Sequence, residues 1–313
     1  MRANPQRKAG GAAGAVATVP AATLRAPSYV PAVIDRLAVL PQYLLPKQAL
    51  TSLMGRLASR PSGGLTTALI RWFIGRYGVN MSEAANPDPA AYATFNEFFT
   101  RALKPGVRPL ADARLLCPVD GAISQFGRVS RGRIFQAKGH EYTATALLGG
   151  DKDLAARFAD GWFATIYLSP RDYHRIHMPC AGRLRRMLHV PGELFSVNPT
   201  TARAVPGLFA RNERVVCLFD DEAGRPFVMV LVGATVVGSM ATVWHGVVNP
   251  PRPGTLREWR YDDQDITLAR GAEMGRFLLG STVVMLFPTG PLTFNPGWAE
   301  GVPVRMGQPM VRA

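Results

Sequence analysis

From Pro109 to the C-terminus the chain is a succession of short Val, Ile, Phe and Thr runs separated by Asp-Gly, Gly-Arg and Pro-Gly pairs. Such pairs supply the backbone angles that tight turns need, and stripes with a 3.6-residue period are few here. The greater part of the molecule is therefore committed to strands. Phe227 to Trp244, 18 residues without a charge, sits at the lower length limit for a membrane-spanning helix. Its many valines, with Gly233, Thr235, Gly238, Ser239 and Thr242, instead predict two buried strands joined near Gly233 to Gly238.

The region before Pro109 follows another rule. Between Pro46 and Tyr77, Leu50, Leu53, Met54 and Leu57 recur at i, i+3, i+4 and i+7, with Lys47, Arg56 and Arg60 interspersed. After a Pro61 to Gly64 break, Leu65, Leu69, Trp72 and Phe73 repeat the stripe beside Arg71 and Arg76. Two amphipathic helices are expected, either lying in an anionic bilayer surface or packed as ordinary core helices. A third is marked by a Thr94/Glu97 capping box, with Phe95, Phe98, Phe99 and Ala102 on one face and Lys104-Pro105 as its stop. The fold class is α+β: amphipathic helices in a docking region over 28–108, then a strand-rich domain over 109–313.

Charge adds a constraint on partners. Lys and Arg number 36 against 22 Asp and Glu, a net +14, and residues 1–110 hold 13 basic against 4 acidic side chains. Such a surplus suits an anionic partner, nucleic acid or acidic lipid. Residues 28–80 hold six basic residues and one acidic, Asp35, among Leu, Trp and Phe, a mixture that favours lipid. Residues 1–27, rich in Ala, Gly and Pro with four basic residues, read as a disordered tail, since the apolar stretch of a signal peptide is interrupted by Pro20. Three cysteines without a CxxC pair exclude a disulfide scaffold and a four-cysteine zinc site.

Three segments could carry chemistry. Asp172 to His177 places His174 and His177 three apart, and with no third ligand nearby a metal site is not expected. Asp120 stands in Pro118-Val119-Asp120-Gly121, otherwise an ordinary turn sequence. Leu279-Gly280-Ser281-Thr282 precedes the apolar run Val283 to Phe287. Together they offer a carboxylate to orient an imidazole, an imidazole to take a proton and a hydroxyl to attack. Gly280-Ser281 lacks the following glycine of the G-x-S-x-G elbow, which disfavours an ordinary hydrolase of that fold.

These segments, with Phe95 to Phe99, Gln136 to Gly139, Leu194 to Pro199 and Asn212 to Arg214, resemble in order and wording the bacterial phosphatidylserine decarboxylase proenzymes over about 95–290. The resemblance implies a pyruvoyl-dependent carboxy-lyase made as a zymogen that cuts itself between Gly280 and Ser281. The products would be a 280-residue β chain and a 33-residue α chain, held as a heterodimer. Ser281 would become an N-terminal pyruvoyl group, Asp120, His177 and Ser281 would form the relay for the cut, and His174 would serve decarboxylation. The pyruvoyl would take the serine headgroup amine as a Schiff base, since no ordinary side chain offers an electron sink. Family members often pair as processed protomers, so a homodimer is expected, with Lys138 as a phosphate contact. The protein would act on phosphatidylserine at the cytoplasmic side of the cell membrane as a peripheral enzyme without a nucleic-acid partner. The competing readings are a serine autoprotease or hydrolase using the same relay, and a basic membrane-binding module without catalysis.

Overall fold

A computed structural model describes residues 33–137, 139–235, 239–278 and 282–312. The tail assigned to 1–27, Lys138, Gly280 and Ser281 lie outside the described residues. Three helices open the described chain: α1 (Val33–Leu44), α2 (Lys47–Ala58) and α3 (Gly64–Tyr77), followed by the short α4 (Phe95–Phe99). The sequence pattern gives α2 and α3 but not α1, whose stripe is interrupted by the internal Pro41. Tertiary contacts secure that helix: Asp35 pairs with Arg203 at 3.0 Å, Gln42 accepts from the Ser196 amide at 2.8 Å, and Tyr43 meets Phe195 edge-on.

The capping box forms at α4. Thr94 Oγ1 accepts from the Glu97 amide at 3.1 Å, and Glu97 Oε2 accepts from the Thr94 amide. The helix ends at Phe99 rather than continuing to Ala102. Thr100 Oγ1 donates back to the Asn96 carbonyl at 2.8 Å, while the Ala102 carbonyl is taken by the Ala85 amide in an extended pairing. Phe95, Phe98 and Phe99 bury into a cluster with Ile70 and Ala58, and Phe73 of α3 lies 5.1–6.0 Å from all three phenyl rings. One face of α3 is thus core. The other exposes Leu65, Leu69 and Trp72, the last at 58%.

The strands, in chain order, are β1 (Gly121–Arg128), β2 (Arg133–Ala137), β3 (His140–Thr143), β4 (Trp162–Tyr167), β5 (Arg175–His177), β6 (Gly182–Val190), β7 (Arg214–Asp221), β8 (Pro226–Val232), β9 (Met240–Thr242), β10 (Gly246–Asn249), β11 (Arg257–Arg260), β12 (Thr267–Leu268), β13 (Glu273–Phe277), β14 (Thr282–Phe287) and β15 (Pro303–Val304). The large antiparallel sheet runs β11-β6-β7-β8-β14-β4-β1-β15, with β12 also on β6. A second sheet runs β10-β9-β13-β5, and β2 and β3 form a hairpin.

Both faces of the large sheet are covered, which is why its central strands read as unbroken apolar runs. In β14, Val283, Met285 and Phe287 point into one core and Val284 and Leu286 into the other. In β8, Phe227, Met229 and Leu231 alternate with Val228, Val230 and Val232 in the same way. The uncharged run therefore splits into β8 and β9 as expected, but the two strands belong to different sheets.

The segment that matters most runs from one sheet to the other. β13 is paired with β5 and β9, whereas β14 lies between β8 and β4. At the end of the first, Leu278 donates to the Ser239 carbonyl at 3.0 Å, and at the start of the second Thr282 is in register with Tyr167 and Val232.

Candidate functional site

β5 holds His177, and His174 immediately precedes it. The His177 amide donates to the Pro118 carbonyl at 2.8 Å, tying the strand to the Pro118 to Gly121 segment, and β13 flanks its other edge. An ion pair and a hydrogen bond reinforce the junction. Arg175 reaches Glu273 at 2.9 Å and also donates to the Thr100 carbonyl at 2.8 Å, joining β5, β13 and the end of α4.

His177 Nδ1 lies 2.8 Å from the Gly271 carbonyl, which can only accept, so this nitrogen carries the proton. Nε2 is left as the lone pair and accepts from the Tyr173 hydroxyl at 3.0 Å. Gly271 presents that carbonyl with φ at +79°, a left-handed conformation that L side chains rarely adopt. Burial holds the His177 imidazolium below its ordinary pKa and pushes the Tyr173 phenol up to about 12. A neutral imidazole facing a neutral phenol results.

His174 is fully buried, its ring 4.1 Å from that of Phe99. Nδ1 donates to the Asp172 carbonyl at 2.8 Å, and Nε2 has no partner among the described residues. Desolvation, helped by the nearby Arg101 charge, lowers its pKa to about 3. The His174 carbonyl accepts from the Phe277 amide at 3.0 Å, so this histidine is fixed to β13.

Asp120 occupies a different network from the one expected of an imidazole orienter. Its carboxylate accepts from Arg108 Nε at 3.0 Å and from the Met306 amide at 2.9 Å, while Arg108 also binds Glu83 at 2.7 Å. These hydrogen bonds raise the Arg108 pKa and hold the Glu83 carboxyl below its usual range. Asp120 therefore acts on His177 through space, favouring its charged form, with no hydrogen bond between them. The Asp-Gly that follows is the start of β1. A Cβ on Gly121 would lie 2.3 Å from the Tyr167 carbonyl, so glycine permits the close approach of β1 to β4.

Tyr173, Arg108, Glu83 and Arg101 are site residues that the sequence reading did not assign. Tyr173 stands in the same motif as the two histidines, but lies before β5 rather than in it. Arg108 and Glu83 carry no local signal, since their role arises from folding. Among the described residues no group of three or more His, Cys, Asp and Glu side chains could hold a metal ion, and no helix is long and apolar enough to cross a membrane.

A cavity of about 360 Å³ opens between α2 and the β9–β10 hairpin, lined among others by Ser52, Arg56, Ser239, Val247, Arg252 and Leu278. Leu278 is two residues before Gly280. A separate polar cavity of about 280 Å³ is bordered by Arg101, Arg108, Asp120 and Tyr173.

Two buried histidines and a clamped aspartate stand together in a β-rich core, and comparison with known proteins gives the family. The family model described as phosphatidylserine decarboxylase matches residues 95–312, and one described as PSD matches 37–78. The chain is 74% identical over 276 residues to the phosphatidylserine decarboxylase proenzyme of Azoarcus sp. (strain BH72), covering 88% of this chain and 96% of that protein. The proenzymes of Dechloromonas aromatica (strain RCB), 71% identical over 88% of this chain and 98% of its relative, and of Delftia acidovorans (strain DSM 14801 / SPH-1), 74% identical over 88% and 97%, are similar to the same extent. The chain belongs to the phosphatidylserine decarboxylase family.

Proposed function

We propose that this chain is a phosphatidylserine decarboxylase that matures by cutting itself between Gly280 and Ser281 and then converts phosphatidylserine to phosphatidylethanolamine and CO₂. The observation that carries the reading is that β13, the strand that ends at Phe277, pairs with β5, which holds His177, and bonds the His174 carbonyl through the Phe277 amide. In the cut, His177 Nε2 takes the Ser281 hydroxyl proton, the oxygen attacks the Gly280 carbonyl, and amide becomes ester. The Gly271 carbonyl keeps the other nitrogen protonated and accepting charge, and the Asp120 carboxylate favours the imidazolium that forms. Elimination at residue 281 then releases the β chain as a carboxylate and leaves a dehydroalanine, whose tautomer is hydrolysed by water to the pyruvoyl group and ammonia.

Bound covalently at residue 281, a pyruvoyl carbonyl supplies the electron sink that loss of CO₂ from an α-amino acid requires. The surroundings fit such a group: His174 Nε2 and Thr282 Oγ1 are buried and without partners among the described residues, and a cavity reaches Leu278. His174 has its proton on Nδ1, so Nε2 begins as an acceptor. It takes a proton from the substrate ammonium and returns it to the headgroup α-carbon after CO₂ has left. The low pKa makes it a weak base but a strong acid for that second transfer.

The exposed apolar residues of α1, α2 and α3, together with their arginines, would hold the enzyme on the cytoplasmic membrane surface, each basic side chain near an anionic leaflet contributing about 1 kcal/mol. Mass spectrometry of the purified protein tests the whole reading. It should give a 33-residue fragment beginning at residue 281, without a free amino group and sensitive to borohydride. Ser281→Ala should remain full length and release no CO₂. A single intact chain in the wild type refutes the proposal, and a cut with an ordinary amino terminus would mark an autoprotease instead.

A further inference from the structure

The β9–β10 hairpin has no part in the chemistry above, yet its surface is unusual for an exposed turn. Val243 and Val247 are each about half exposed, at 49% and 51%. They are held outward by packing beneath them. Trp244 meets Phe219 edge-on at 5.8 Å, and His245 meets Trp259 at 4.8 Å, so the tip is fixed and cannot fold its valines into the core. Val247 also lines the cavity of about 360 Å³, opposite Thr51, Ser52 and Arg56 of α2.

The two walls of that cavity share one composition. α2 exposes Leu53 and Leu57 beside Arg56, and no carboxylate occurs between Asp35 and Glu83. The hairpin exposes Val243 and Val247 with Arg252 and Arg257 following, and no carboxylate occurs between Glu222 and Glu258. Apolar tips on segments that carry arginines and no carboxylate of their own complement an anionic bilayer rather than an acidic or mixed protein surface. Arg56 and Arg252 bring two arginines to the cavity wall, and Arg252 is oriented by the buried Glu213 at 2.9 Å, itself held by His189 at 2.8 Å.

We propose that the β9–β10 hairpin is a second bilayer contact, which with α2 forms the two lips of a port through which the phospholipid headgroup reaches the catalytic segment while its acyl chains stay in the leaflet. The inference rests on the decarboxylase reading and adds to it an element of the catalytic domain that touches lipid. A port with both lips in the leaflet admits a headgroup without drawing the acyl chains into water, which the exposure of each methylene opposes.

Hydrogen exchange of the processed wild-type protein, with and without vesicles of phosphatidylserine and phosphatidylcholine, tests it. Amides of 243–247 should exchange at least fivefold more slowly with vesicles. Slowing in α2 and α3 alone overturns the proposal. Slowing that appears without lipid as protein concentration rises also overturns it, since a second copy then covers the hairpin. Val243→Asp, which alters neither the cavity wall nor the histidines, should lower turnover of bilayer phosphatidylserine about tenfold and leave turnover of a dispersed short-chain phosphatidylserine within twofold. An equal loss on both substrates counts against the port. Should that variant fail to fold, the exchange measurement on the wild type decides alone. Absence of wild-type turnover of either substrate would sink the decarboxylase reading itself, a result separate from an unprotected hairpin in an active enzyme.

Discussion

Two histidines three apart in one motif end up in unlike surroundings because His177 lies in β5 whereas His174 precedes the strand. His177 meets the Tyr173 hydroxyl, whereas His174 meets Phe99 and the Arg101 charge. The Tyr173 hydroxyl stabilises the neutral imidazole by donating to Nε2, and so opposes protonation. Tyr173→Phe removes that donor and should raise the His177 pKa, moving the rising limb of self-cleavage to higher pH. The rate at which the small fragment appears across a pH series measures the shift, and an unmoved limb would show that the hydroxyl does not tune the base. His174 gives a second pH effect. Its folded pKa of about 3 lies below the ordinary 6.5, so the unfolded chain takes up a proton that the native state refuses. Its stabilising contribution is complete above pH 6.5 and is lost toward pH 3, at up to about 1.4 kcal/mol per pH unit. Denaturant midpoints should fall more steeply with acidification in the wild type than in His174→Gln. Motif wording revealed both histidines and Asp120. It did not reveal that Arg108 and the Met306 amide hold Asp120, because those partners come from distant parts of the chain.

The helices show how far a periodic pattern carries. A stripe at i, i+3, i+4 and i+7 establishes that α2 and α3 are helices with one apolar side, but it does not say what that side meets. In the fold, Phe73 and Ile70 meet the α4 phenylalanines while Leu65, Leu69 and Trp72 face outward, so α3 is apolar on more than the face it buries. The two faces should respond differently to mutation. Phe98→Ala empties a fully buried position and should cost about 3–5 kcal/mol in chemical denaturation. Trp72→Glu on the exposed face should leave stability within about 0.5 kcal/mol and weaken sedimentation with anionic vesicles. α1 escaped the pattern because its specification lies in Arg203, Ser196 and Phe195, more than 150 positions away. The Leu194 to Pro199 motif, which carried the family resemblance without a structural role, is where that helix is pinned.

At the scale of the molecule, strand-rich texture and turn residues gave the class of the β domain, but not its division into sheets. Periodicity reports burial, and β8 and β14, covered on both faces, lose the alternation that would assign each side chain to a layer. The arrangement of β14 and β15 makes a prediction about the products of the cut. Both strands follow residue 281, yet β14 is hydrogen-bonded on each edge by strands that precede it, and β15 lies on β1. The 33-residue fragment should therefore co-elute with the large chain through native gel filtration and separate only in denaturant. Its release under native conditions would contradict the sheet order.

That sheet order also fixes a sequence of events. A chain lacking residues 281–313 would leave β8 and β4 each with an exposed edge and an apolar slot between them, an invitation to stick to its own kind. Folding must come before scission, and the gene could not be divided at this point into two independently made polypeptides without giving up solubility.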